Sequence, residues 1–351
     1  MITTKTPLRV SFFGGGTDYP TFFNQADGCV VGCTVDLSVY VTILALPLFA
    51  REKFRFTYRK TESVDSIDDM KHPVTRELIK YFRWNTPLNI ATMADVPGSS
   101  GLGSSSSFTV GLALALKKFE LQTSENPRFL AETSEDPRFL AETAIHIERV
   151  ILKEPGGLQD QYHASFGGFR SYDFNKSGVT VGRKLLAKEQ LAQLSRYFTL
   201  VSVGQGRDSA QLAEATSRAS STEKFQELLA LRDLSRNISN LLLEPQDIST
   251  ISSTLFEGIE EGWMIKKKFD DSIAPRNVLD AIDAGKQAGA ITAKLCGAGS
   301  SGFLLFGHKP EHQEQVINAF PSKYGFPAIF TDSGSKVILN SNQSKNCPQG
   351  N

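Results

Sequence analysis

The sequence has no excess charge of either sign: Lys plus Arg number 38, Asp plus Glu number 38, and the formal net charge is zero. A nucleic-acid binder usually carries a basic surplus, so that class is set aside. No apolar run approaches the roughly 18 residues that span a bilayer. The most apolar stretch, Val39–Phe49, is short and holds a Thr and a Pro. A secretory signal is not expected either, because MITTKTPLRVSFFGGG passes from a short apolar segment straight into glycine without a small-residue cleavage site. Cysteine is scarce. Cys29, Cys33, Cys296 and Cys347 form no C-x-x-C pair, and no His-rich tract lies beside them. Neither a zinc site nor a disulfide framework is expected, and free thiols suit a reducing cytoplasm.

What remains is ordinary globular composition, 40% apolar and 22% charged over 351 residues, enough for about two domains sharing a cleft. Strand patterns dominate the start: Leu8–Phe13, the β-branched run Cys29–Leu46, the alternating Phe54–Arg59, and Leu88–Asp95. A short helix is predicted over 73–83, and the Ala- and Leu-rich run Ser104–Leu121, apolar on most faces, predicts a buried helix. TSENPRFLAE (Thr123–Glu132) is repeated at once as TSEDPRFLAE (Thr133–Glu142). Each copy has an N-cap residue followed by Pro, so the repeat reads as a duplicated helix start without catalytic meaning. Two strands joined by a turn at Asn175–Gly178 follow, then a strand at YFTLVSVG. From 209 to 290 the pattern is mostly helical, with breaks near Pro245 and Pro275, and strand–helix–strand closes the chain. The whole is an α+β pattern. Residues 341–351 are polar and expected to be disordered.

Four constellations could carry chemistry. The first is GSSGLGSSSSF, after a strand and before a buried helix. Its glycines let backbone N–H groups approach a phosphate, the helix start adds unpaired N–H groups, and its serines can reach phosphate or Mg²⁺. It is not a Walker A loop, because Ser104 stands where the Lys should be. The second is CGAGSSGFLLF, in which Gly297, Gly299 and Gly302 fit G-x-G-x-x-G. A strand follows where a dinucleotide fold would open a helix, which leaves a close backbone approach to something as the expectation. The third is Arg9 with the turn Gly14–Pro20, and the fourth is Asp160 in PGGLQDQY with Glu148 twelve residues upstream. Two carboxylates so arranged can divide metal binding from proton transfer.

In this order the four elements resemble the GHMP kinase superfamily, over roughly residues 5–335. Pro97–Ser105 fits its P-x-x-x-G-L-G-S-S motif, and Gly157-Leu158-Gln159-Asp160-Gln161 is similar to the string that holds the base in its sugar kinases. The resemblance implies a domain like ribosomal protein S5 over 1–190, a ferredoxin-like domain over 191–340, and a cleft between them. It implies ATP on Pro97, Gly98, Ser99, Ser100, Gly101, Leu102, Gly103, Ser104, Ser105 and Ser106. Mg²⁺ would be held by Ser105 and Glu148, with Asp160 as base and Arg9 keeping it ionised. Thr17 and Asp18 would position sugar hydroxyls, with Gly15, Gly16, Gly297 and Gly299 beside the substrate. Galactokinases carry Glu-His where Gly15-Gly16 stand, so galactose is disfavoured. Arg9–Pro20 is instead similar to the heptose 7-phosphate kinases, suppliers of activated heptose for surface polysaccharide. The implied reaction is ATP-dependent phosphorylation at C1 of D-glycero-D-manno-heptose 7-phosphate. A distal phosphate needs a cation away from C1, and Arg207, after an apolar strand, is the candidate. Kinases of free fucose or galactose, and a sugar sensor without activity, stay open as alternatives. The partners are a sugar phosphate and ATP, neither nucleic acid nor membrane, with a homodimer left open.

Overall fold

A computed structural model describes residues 1–47, 49–98, 100–123, 136–204, 224–268, 275–297, 302–321 and 324–341. Among them no helix is long and apolar enough to cross a membrane. The first sheet has nine strands. They are β1 (Ile2–Phe13), β2 (Gly28–Ala45), β3 (Phe54–Thr57), β4 (Thr61–Val64), β5 (Leu88–Ala94), β6 (Phe169–Asn175), β7 (Gly178–Lys184), β12 (Phe330–Thr331) and β13 (Lys336–Asn340). Its spine runs β13-β1-β2-β5-β3-β4. β2 is long enough to pair with β5 through Val39–Ala45 and with β6 through Gly28–Cys33 on the same edge. All pairs are antiparallel except β3 with β5. The second sheet is antiparallel and runs in the order β11 (Gly325–Pro327), β8 (Phe198–Ser202), β10 (Phe303–His308), β9 (Ala290–Leu295).

The Ala- and Leu-rich segment is a helix over Ser104–Thr123, with Val110 and Leu112–Leu116 buried against β1 and β2. It approaches closely: a Cβ on Gly111 would lie 2.6 Å from Thr6 Oγ1, and Ser107 donates to the Pro7 carbonyl at 2.8 Å. That contact fixes where the glycine loop before the helix sits relative to Arg9. In the second half, helices Phe225–Leu241, Ile248–Lys266 and Arg276–Gln287 break where Pro245 and Pro275 stand. The second repeat copy behaves as its composition predicts, with Asp136 capping the Arg138 N–H at 2.9 Å and Pro137 opening the helix Pro137–Ile145. Residues 124–135 lie outside the described residues, as do 342–351 of the polar tail.

The ends of the chain depart from sequence order. β12 pairs with β2 and β13 with β1, so residues 330–340 return to the first sheet although the sequence reading assigned 191–340 to a second domain. β13 covers the β1 edge over Ile2–Lys5, whose N–H and C=O groups would otherwise be unpaired, and β12 adds to β2 at Thr34 and Val35. One apolar core also joins the two sheets: the Phe12 ring lies 5.0 Å from Phe169, 5.6 Å from Phe198 and 5.7 Å from Phe330, centre to centre.

Candidate active site

Arg9, on β1, ties three elements together. Its Nε and Nη2 donate to Asp160 Oδ1 at 2.8 and 2.6 Å, its Nη1 donates to the Gly101 carbonyl at 2.7 Å, and its backbone N–H donates to the Leu102 carbonyl at 3.0 Å. Asp160 lies in the first turn of the helix Gln159–Phe166, and its side chain keeps 24% exposure to the cleft. Its Oδ2 faces the glycine loop, where a Cβ on Gly103 would lie 3.3 Å away. Gly103 has φ +78°, a conformation that favours glycine, and a side chain there would press on Arg9 and Asp160. The predicted base thus stands beside the predicted phosphate loop, with an arginine holding one of its two oxygens.

Glu148 is only 1% exposed and sits on a stretch of i→i+5 turns, His146–Ile151. Such wide turns often mark functional positions. Its Oε2 accepts from Ser106 Oγ at 3.0 Å and Gln161 Nε2 at 2.6 Å, and Arg149 lies 3.4 Å away. The sequence reading paired Glu148 with Ser105. The hydroxyl in contact with Glu148 is that of Ser106, which is buried, whereas Ser105, one residue and about 100° earlier on the helix, is exposed and lines the cleft. The other oxygen, Oε1, is buried with no hydrogen-bond partner among the described residues, and so is Gln161 Oε1. Orphaned oxygens beside a hydroxyl fit a hard cation such as Mg²⁺, which takes one or two carboxylates and completes its shell with phosphate and water.

The second glycine cluster approaches the first. A Cβ on Gly101 would come within 2.5 Å of the Cys296 carbonyl, one on Gly297 within 2.7 Å of Gly101 Cα, and one on Gly302 within 2.5 Å of the Ser100 carbonyl. Gly297 therefore braces the first glycine loop as well as lining the cleft. Ser99 and Gly299 lie outside the described residues, and so does Arg207.

At the turn after β1, two expectations change. Thr17 does not face the cleft. Its hydroxyl lies within donor reach of the Gly14 and Cys29 carbonyls, its one proton going to either, and accepts from the Cys29 N–H, so it closes the turn rather than meeting sugar. Asp18 borders the cleft but is 0% exposed, and its oxygens accept from Gly16 N–H and Gln159 N–H, each at 3.1 Å. Burial pushes its carboxyl above the usual range, and those N–H groups partly offset the rise. Asp18 is thus a brace for the segment that carries Asp160. Gly157 must be glycine because a Cβ would lie 1.9 Å from Asp18 Oδ2. Gly15 and Gly16 line the cleft as expected.

The cleft encloses about 1090 Å³, room for two ligands meeting end to end. Its far wall comes from the second half of the chain, and sequence reasoning missed Trp263, Lys266 and Lys294 there. Lys294 could have been flagged by its place two residues before the Cys296-Gly297 cluster. Lys266 is one of three consecutive lysines, and nothing in the sequence separates it from its neighbours.

Comparison with known proteins follows the same pattern. The GHMP kinases N terminal domain matches residues 72–168 and the GHMP kinases C terminal domain matches 253–325. A D-glycero-alpha-D-manno-heptose 7-phosphate kinase of Campylobacter jejuni is 27% identical over 352 residues, covering 94% of this chain and 96% of its own length. Among solved structures, a D-glycero-D-manno-heptose 1-phosphate kinase from Bacteriodes thetaiotaomicron superposes with a TM-score of 0.73 at 22% identity, covering 97% of this chain and all of its own. A Lactococcus lactis galactokinase complexed with galactose does so with a TM-score of 0.64 at 14% identity, covering 95% and 94%. The two solved structures speak to the fold.

Proposed function

We propose, since the chain belongs to the GHMP kinases, that it moves the terminal phosphoryl group of ATP to the C1 hydroxyl of D-glycero-D-manno-heptose 7-phosphate, giving the 1,7-bisphosphate. The observation that carries the kinase reading is the Arg9–Asp160 pair standing against the glycine loop. The heptose reading is supported by the Gly14-Gly15-Gly16-Thr17-Asp18 turn, which lacks the Glu-His of galactokinases, and by the Campylobacter relative.

Phosphoryl transfer asks a protein for positioning and charge neutralisation more than for covalent chemistry. The N–H groups of the loop from Ser100 to Gly103 and of the helix start at Ser104–Ser106 receive the phosphates. Asp160 Oδ2 takes the proton of the C1 hydroxyl. An anomeric hydroxyl is more acidic than an ordinary alcohol, so a carboxylate base suffices. Arg9 fixes the rotamer of Asp160 and offsets charge that develops on the transferred group. Glu148 and Ser106 would hold Mg²⁺, which when bound neutralises phosphate charge. Glu148→Gln is accordingly expected to raise the Mg²⁺ concentration for half-maximal activity while sugar KM changes little. A Mg²⁺ titration that overlays the wild type would remove Glu148 from metal binding.

The function is tested by sugar-stimulated ATP turnover across free and phosphorylated hexoses and heptoses. The highest kcat/KM is expected with heptose 7-phosphate. A free hexose such as fucose in first place would overturn the substrate, and no stimulation by any sugar would point to a sensor.

A further inference from the structure

We propose that Lys266 and Lys294, on the far wall of the cleft, form a cradle for a phosphate group, and that its occupant is the distal phosphate of the sugar. The proposal rests on the sugar phosphate reading above and supplies the cation that reading requires. Lys266 ends the helix Ile248–Lys266 and Lys294 lies near the end of β9, and both line the cleft. Backbone carbonyls aim the ammonium groups: Lys294 Nζ donates to Ser11 at 2.7 Å and to Phe12, and Lys266 Nζ donates to Gly297 at 3.2 Å. An ammonium has three donors. These contacts leave one on Lys294 and two on Lys266, together enough for the three oxygens of a phosphate monoester.

Neither lysine pairs with a carboxylate among the described residues. Two other cations of the cleft are already engaged, Arg9 by Asp160 and Arg149 by Glu148 and the Gly157 carbonyl. Desolvation lowers the pKa of both lysines, and that of Lys294, with Lys266 adding repulsion, falls to about 7. Two cations so placed repel each other until an anion joins them, and a dianion restores both charges. The side of the cleft selects the sugar. The carbonyl partners of Lys294, Ser11 and Phe12, lie at the end of β1 that leads into the Gly14–Gly16 turn, and Lys266 meets Gly297, whose own packing against Gly101 stands between it and the glycine loop that offers the nucleotide's phosphates a helix start.

The test measures binding of heptose 7-phosphate, free heptose and AMP-PNP to the wild-type chain, Lys266→Met and Lys294→Met. Each Met variant is expected to bind heptose 7-phosphate about 10- to 100-fold more weakly, the range for losing a charge-assisted contact. Free heptose and AMP-PNP should change less than about threefold, the Lys→Arg variants should recover most of the loss, and ligand-free melting confirms folding. Loss of AMP-PNP with heptose 7-phosphate unchanged would assign the lysines to the nucleotide and overturn the proposal, as would no change in either ligand. If the wild type binds free heptose as tightly as the phosphate, the substrate reading fails. The cradle is then judged with inorganic phosphate, read by fluorescence of Trp263 on the same wall: a response lost in both Met variants supports it, and one that persists refutes it. A third arm needs no variant. Lys294 faces Lys266, Cys296 and Arg9, and Lys266 faces Cys296, Arg9 and Asp18. The ratio of heptose 7-phosphate to free-heptose affinity should fall as pH rises from 7 to 9 and the ammonium charge is lost, and a flat ratio would count against the cradle.

Discussion

Asp160→Asn is expected to lower kcat by about 10² to 10⁴, the usual range for loss of a general base, while ATP binding stays near the wild type. The amide is nearly isosteric, so the helix Gln159–Phe166 should persist. It has no basic lone pair for the C1 proton, and it loses the charge that two Arg9 nitrogens now meet at 2.8 and 2.6 Å. The Arg9 contact to the Gly101 carbonyl survives, so the phosphate loop keeps its position. That separation makes the variant informative: single-turnover rate and nucleotide affinity should part company. A variant retaining more than half of the wild-type kcat would show that Asp160 is not the base.

Asp18→Ala should have the next largest effect, and it should be seen first in stability. The substitution strips the acceptor from the Gly16 and Gln159 N–H groups in a site without solvent. Each buried donor left unpaired costs about 1–3 kcal/mol, so a loss of about 2–6 kcal/mol is expected. Because Gln159 directly precedes Asp160, kcat should fall with the melting temperature. Asp18→Asn should be milder, since one acceptor remains, but its amide donor faces an N–H. An unchanged melting temperature with a selective rise in the sugar KM would make Asp18 a sugar ligand instead of a brace.

The two predictions rest on residues that the sequence presented alike. Asp160 and Asp18 both stand in glycine-rich strings, both are acidic, and both were read as facing substrate. The structure separates them by the company of their oxygens. Asp160 keeps an oxygen toward the cleft, whereas Asp18 has spent both on backbone N–H groups. Ser105 and Ser106 pose the same problem. Neighbouring serines at a helix start point about 100° apart, and only the placement of Glu148 decides which one it meets. The second glycine cluster was legible as a close backbone approach, but its partner, Gly101, lies almost 200 positions earlier in the chain.

The sequence by itself determined the local elements and the chemistry they carry. β-branched runs made the long strands, a dense Ala and Leu stretch made the buried helix, and prolines placed the breaks in the helical half. Glycines at the phosphate loop declared positions that accept no side chain, and the carboxylates of a kinase stood at readable spacing. These are properties of neighbours along the chain. Only the tertiary structure decided what met across it: Arg9 on Asp160, Ser106 on Glu148, β13 returning to β1, and Lys266 with Lys294 facing one cleft from two separate elements. Burial, hydrogen bonding and charge repulsion act through space between residues far apart in sequence, and periodicity and spacing record only the local half of that physics.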